Sequence, residues 1–268
     1  MRALLIGWLI GLGSTGVCAG VGNSLTAPED PSEVVDAAIE RGVDWLLAAQ
    51  AVDGSWRTYA PHKRPAGVTS LAVFTLLKCG LAADHPAIRK GLGFVFAREQ
   101  RGVYTASIAL LALGVLGEHH PLGKHAEGLT EFLIDNLQHG GWGYPNNSTG
   151  GDPAYSDSSN TQYALLAMDA AVRLGQRVSQ STWVDASQAL LGRQRRDHGW
   201  AYQMHRESTA AMTAASIAGA HLCHTHLTNK GAGKKLRPRL EESMQAGLDW
   251  LEQHWSIREN SMAGKPDE

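Results

Sequence analysis

From Asp30 onward, apolar residues recur at the spacing of an amphipathic helix. Val34, Val35, Ala38, Ile39, Val43, Leu46 and Leu47 fall three or four apart, the period that lines one helix face. Asp30-Pro31-Ser32-Glu33 supplies an N-cap, a first-turn proline and an acid at the third helical position, so the pattern predicts a helix over 31–49. The turn Asp53-Gly54-Ser55-Trp56 follows, then a more uniformly apolar helix over 68–79, stopped by Gly80. This pair recurs. A second copy has helices over 86–99 and 104–116 around a short turn, and a third has 122–137 and 160–174 around Gly140-Gly141-Trp142-Gly143-Tyr144 and a long loop. A fourth has 182–194 and 211–223 around His198-Gly199-Trp200-Ala201-Tyr202, and a fifth first helix is expected over 239–255.

Two alignments fix the repeat. Gln50, Gln100, Gln138 and Gln194 each end a first helix, and an aromatic residue (Trp56, Tyr104, Trp142, Trp200) follows four to six residues later. Thr69, Thr105, Thr161 and Thr213 each open a second helix, where a hydroxyl can cap free amides. First helices carry charged faces (Glu33, Asp36, Glu40 and Arg41 in the first copy), whereas the second helix Ile108 to Leu116 is apolar nearly all round. A helix apolar on every side must be covered on every side. The expected architecture is therefore two layers, second helices inside and first helices outside, with the turn aromatics wedged between neighbouring pairs.

Composition changes this picture little. At 43% hydrophobic residues the 268-residue chain can bury a large core, and 24 basic against 26 acidic side chains give a formal net charge of -2. No global positive field exists to collect nucleic acid, and none is expected as a partner. The N-terminus has a single basic residue, Arg2, an apolar run from Ala3 to Leu12, and small residues closing in Val17-Cys18-Ala19. That order predicts a secretory signal peptide over 1–19 cleaved after Ala19, too short in its apolar run to span a bilayer, and a secreted or periplasmic protein. Cys79 and Cys223 remain, two thiols that either pair or both lie in the core.

Arg41-Gly42-Val43-Asp44-Trp45-Leu46 through Gln50, Gly54 and Trp56 resembles in full the QW motif, basic-small-x-x-aromatic-aliphatic-x-x-x-Gln-x-x-x-Gly-x-Trp. Lys90-Gly91-Leu92-Gly93-Phe94-Val95 resembles its opening, and the stretches Gln138 to Trp142 and Gln194 to Trp200 its close. The chain is thus similar to the squalene cyclase and protein prenyltransferase superfamily. The resemblance implies an all-α fold, the α/α toroid, here an incomplete ring or arc of about four and a half repeats over 30–256, with 257–268 a polar tail.

For chemistry the resemblance is less generous. Cyclases of that superfamily start their reaction with a protonated aspartate in Asp-x-Asp-Asp-Thr-Ala, because protonating an alkene needs a strong, positioned acid. The corresponding stretch here is Asp157-Ser158-Ser159-Asn160-Thr161-Gln162, with Ser159 where the acid belongs. Prenyltransferases bind zinc through Asp-x-Cys; the nearest stretch is Asp152-Pro153-Ala154, without the cysteine. No cofactor is expected. The first reading is a non-cyclising binding or scaffold module for an apolar, isoprenoid-like ligand or a protein partner, with Phe74, Tyr155, Asp157 and Tyr163 as ligand contacts. The second is an enzyme on terpenoid or prenyl substrates that uses Asp157 or Asp152 as a non-standard acid.

Three further features carry alternatives. His221 and His224 share a helix face at metal-binding spacing, against the plainer reading of histidines placed at a helix C-terminus by its dipole. Lys230, Lys234, Lys235, Arg237 and Arg239 read as a solvated connector into the fifth repeat. Ala214, Ile217 and Ala218 on the last second helix are expected to form an apolar edge open to self-association.

Overall fold

The computed structural model describes residues 31–57, 65–98, 102–138, 141–144, 156–256 and 258–260. The signal-peptide segment, the polar tail's residues 261–268, and Gln100, Asp152 and Tyr155 lie outside them. Among the described residues the protein is all-helical, with isolated β-bridges (Gly143 with Ser156, Ala201 with Ser208) in place of strands. The helices are α1 (Pro31–Ala49), α2 (Pro65–Lys78), α3 (Pro86–Phe96), α4 (Val103–Leu116), α5 (Ala126–Asp135), α6 (Ser158–Arg173), α7 (Gln180–Arg193), α8 (Ala210–His226) and α9 (Gly231–Gln253), with a 3-10 turn at Pro121–His125 before α5. The chain divides into two compact units, residues 1–41 and Gly42–Glu268. The second unit holds the end of α1 and all of α2 to α9.

Within it, the second helices of the pairs form a row: α2 packs on α4, α4 on α6 and α6 on α8. First helices lie against that row, with α3 on α2, α5 on both α4 and α6, and both α7 and α9 on α8. The interior of the row is α4, where every residue from Thr105 to Leu113 is buried; a helix apolar all round is covered all round, as its composition requires. The larger core cluster runs through Leu110, Leu133, Trp142, Leu165, Met168, Trp183, Leu190 and Leu240. A smaller one gathers Trp56, Val73, Leu76, Ile88 and Leu92, with Val43, Leu46 and Leu47 of α1 packed against it.

The turns repeat bond for bond. The indole Nε1 of Trp56 donates to Leu46 O at 2.8 Å, that of Trp142 to Leu133 O at 2.7 Å, and that of Trp200 to Leu190 O at 3.0 Å. Their backbone N–H groups donate to Thr69, Thr161 and Thr213 Oγ1 at 3.2, 3.1 and 3.0 Å. The threonines therefore hold the preceding turn and do not cap their own helices, which corrects the capping role expected for them. N-capping falls four residues earlier, to Asp157 in α6 and Thr209 in α8, each accepting a bond from a first-turn amide. Gly141 shows how tight the arrangement is: at φ +102° a side chain is strained, and a Cβ there would stand 2.5 Å from Thr161 Oγ1.

Several expectations need correction. Tyr104 does not occupy a turn; it is the second residue of α4. The basic run is not a connector. α9 starts at Gly231, since Leu236 and Leu240 are buried and Arg237 donates to Leu227 O at 3.0 Å, which holds the segment helical through Pro238. Cys79 is exposed and Cys223 buried, both unpaired, so neither expected alternative for the two thiols holds. Of the three residues expected to form an apolar edge on α8, only the small Ala214 and Ala218 are exposed; Ile217 is half-buried and faces Gly247 of α9.

Candidate functional site

Asp157 sits at the N-terminus of α6 because its extended backbone and short acceptor side chain suit the cap position. Its Oδ1 accepts from the backbone N–H of Asn160 at 2.7 Å and its Oδ2 from Asn160 Nδ2 at 2.8 Å. Both oxygens are thus engaged, and the residue is almost wholly buried, at 1% exposure. Burial raises the carboxyl's proton affinity above the usual aspartate value, opposed by the two Asn160 bonds and the nearby Arg193 charge.

Arg193, the last residue of α7, is buried and ties three stretches of chain together. Its guanidinium donates to Ser156 O at 3.1 Å, Ser156 Oγ at 2.7 Å and Tyr202 O at 3.0 Å. Ser158 reinforces the same corner, donating from its N–H to Tyr202 O at 3.0 Å and from Oγ to Ala201 O at 2.7 Å. The Tyr202 hydroxyl lies near Asp157 and Tyr144, and its pKa is pushed up to about 12, first by burial and then by the Asp157 charge. Beside this corner the rings of Tyr104 and Tyr163 meet at 4.6 Å and 59°. Burial, and then the neighbouring Tyr163, push the Tyr104 hydroxyl's pKa upward. Four tyrosines and one buried carboxylate therefore gather at the N-terminal ends of α4 and α6.

Asp157 and Tyr163 of the expected ligand contacts meet at this corner. Phe74 is half-buried on α2 and packs against both core clusters. Leu71 of α2, Val115 of α4 and Leu166 of α6 are likewise half-buried or exposed. Arg193, Tyr144 and Tyr202 are not among the residues expected from the sequence. A signal exists for the tyrosines, each two residues after a turn tryptophan; Arg193 looks in sequence like one more charge on an outer helix.

The histidines behave as structural groups. His224 Nε2 pairs with Glu241 at 2.7 Å, and His226 Nε2 pairs with Asp169 Oδ1 at 2.9 Å while its ring stacks on Trp183 at 4.3 Å. His221 is exposed. Among the described residues no three metal-ligating side chains converge, and no helix is long and apolar enough to cross a membrane.

Compared with protein-family models and with curated proteins, the chain matches none.

Proposed function

We propose that this protein is an exported, non-cyclising repeat module of the α/α-toroid type, which holds an apolar, isoprenoid-like chain against the uncovered face of its second helices. The observation that carries this reading is that Leu71, Phe74, Tyr104, Tyr163 and Leu166, on three second helices that pack in succession, are left half-buried or exposed. Pockets for apolar ligands are walled by such side chains, with a few polar groups at one end to set orientation; the Asp157, Tyr144 and Tyr202 corner supplies that end. The QW-type turns support membership of the toroid superfamily, and the N-terminal pattern supports export.

The commitment of both Asp157 oxygens to Asn160 argues against a free proton donor at the mouth. An enzymatic reading keeps one support, the raised proton affinity of this buried carboxyl. Lipid extraction of the purified protein, followed by mass spectrometry, separates the two. A bound isoprenoid that is lost from Tyr163→Ala and retained by Asp157→Asn supports the binding module. A cyclised product from added squalene, abolished by Asp157→Asn, overturns it in favour of the enzyme, and the absence of any bound or titratable isoprenoid removes the ligand class.

A further inference from the structure

The joint between successive repeats is built the same way at both ends of the row. In the first, Gln50 Nε2 donates to Gly54 O at 3.0 Å in its own turn and to Ala87 O at 2.9 Å in the next first helix, α3. Four residues along α3, Gly91 receives the turn: a Cβ there would stand 3.1 Å from Trp56 Cζ3 and 2.5 Å from Val73 Cγ2. In the last joint, Gln194 Nε2 donates to His198 O at 2.9 Å and to Ser243 O of α9 at 2.9 Å. Four residues along α9, Gly247 receives Trp200 Cζ3 at 2.7 Å and Ile217 at 3.1 Å from a would-be Cβ. Val73 and Ile217 themselves occupy one register, each four residues after its threonine. A turn carrying Gln and Trp six residues apart is the plug, and a glycine on the following first helix is the socket.

α1 has the socket sequence without a plug among the described residues. Gly42-Val43-Asp44-Trp45 matches Gly247-Leu248-Asp249-Trp250 and Gly91-Leu92-Gly93-Phe94 position for position. Where a turn is docked, the aromatic residue three after the glycine is covered: Phe94 is 7% and Trp250 3% exposed. Trp45 is 69% exposed, and a Cβ on Gly42 would meet nothing within 4 Å. Gly93, Gly128 and Gly192 also have open space at Cβ, so it is the match of Gly42 and Trp45 to two filled sockets, with Trp45 left uncovered, that marks α1 as a socket without a plug among the described residues.

We infer that the Gly42 and Trp45 face of α1 is a docking site for a partner polypeptide whose helix ends in the same plug, Gln followed six residues later by Trp. The two filled sockets specify the occupant. A second copy does not supply it, because Trp56, Trp142 and Trp200 are each already buried within this chain and Tyr104 is part of a helix. This inference stands apart from the proposed ligand face, which lies on the other layer of helices.

The test gives the full chain a free plug. A second copy of residues 177–230, which ends before the α9 that normally fills its joint, is fused ahead of Pro31. The 5-fluorotryptophan resonance of Trp45, assigned with Trp45→Phe, reports solvent contact through its isotope shift. The unfused chain is expected to show an exposed Trp45, the fusion to lose that exposure, and Gly42→Leu in the fusion to restore it, while Gly42→Leu does not lower the unfused chain's stability. A Trp45 that stays exposed overturns the inference, whether the added pair is helical by circular dichroism or fails to order on α1. Sedimentation of the unfused chain is a second arm: a dimer abolished by Gly42→Leu identifies a second copy as the occupant and overturns the partner proposed.

Discussion

Threonines at one repeat position divide into three that accept a tryptophan amide and one, Thr105, whose Oγ1 has no partner among the described residues. The chain thus carries its own control. Thr213→Val keeps the shape but leaves the buried Trp200 N–H unsatisfied, which costs about 1–3 kcal/mol, the desolvation of an orphaned donor. Thr105→Val removes a buried hydroxyl that bonds nothing and is expected to be neutral or stabilising. Urea unfolding with unchanged slope checks both, and equal losses at the two sites would remove the assigned role. The alignment of these threonines is legible in the sequence; their partner is not, because a hydroxyl facing a backbone amide 13 residues away leaves no side-chain signature. The cysteines are a second residue-scale case. Burial pushes the Cys223 thiol up to about 12, so an alkylating reagent at pH 8 should modify exposed Cys79 in the folded protein and reach Cys223 only in denaturant. Peptide mapping of the labelled chain checks this, and rapid native labelling of Cys223 contradicts its burial.

At the scale of elements, the seam between α6, α7 and α8 is set by His226, held between the Asp169 carboxylate and the face of Trp183. Asp169 also pairs with Arg173 one turn along α6. Burial, and then the Arg173 charge, lower the His226 proton affinity below the ordinary value of 6.5. A histidine whose folded pKa is lowered favours folding in its neutral form. Stability from this seam is therefore complete above the unfolded pKa near 6.5 and is lost as pH falls through it toward the folded value. Thermal melts between neutral and mildly acidic pH should show the decline, flattened in His226→Gln; a wild-type profile equally flat would discount the seam. α9 supplies a second test. Pro238 is exposed and lies inside the helix, where proline removes one backbone bond and crowds the preceding turn. Pro238→Ala should stabilise the protein by up to about 3 kcal/mol in chemical unfolding, since the ring is exposed and the cost of an interior proline is of that order. This proline is also why the sequence pattern places the start of the last helix at Arg239. Local propensity argues for a break, and the buried Leu236 and Leu240, whose neighbours lie on α8 and beyond, override it. The division of the predicted 122–137 helix into a 3-10 turn and α5 is hidden for a similar reason: Pro121 and Gly123 look like the opening of one helix.

For the unit from Gly42 onward, the arrangement of successive joints decides how the molecule comes apart. In stacked hairpins each repeat contacts its neighbours, so damage at an end is expected to stay local while damage at the centre spreads. Two glycines at helix crossings let this be tested with the same substitution. Gly247 lies in the last joint, under Trp200 and Ile217, and Gly114 lies in the α4–α6 crossing, where a Cβ would stand 3.0 Å from Ala170 Cβ. Gly247→Leu should force α9 off the turn while α2, α4 and α6 keep their contacts. Hydrogen exchange should then rise over Gly231–Gln253 and the turn around Trp200, with protection kept from α2 to α6. Gly114→Leu wedges apart the two central helices of the row, and since α4 is packed against α2, α5 and α6 at once, protection should fall across all of them. Each overpacked crossing costs about 1–3 kcal/mol, so the distinction lies in where exchange rises and not in total stability. Loss spread evenly over the chain in both variants would mean that α9, through Leu236 and Leu240 in the larger core cluster, folds as one cooperative body with the centre, and that the joints are not separable steps.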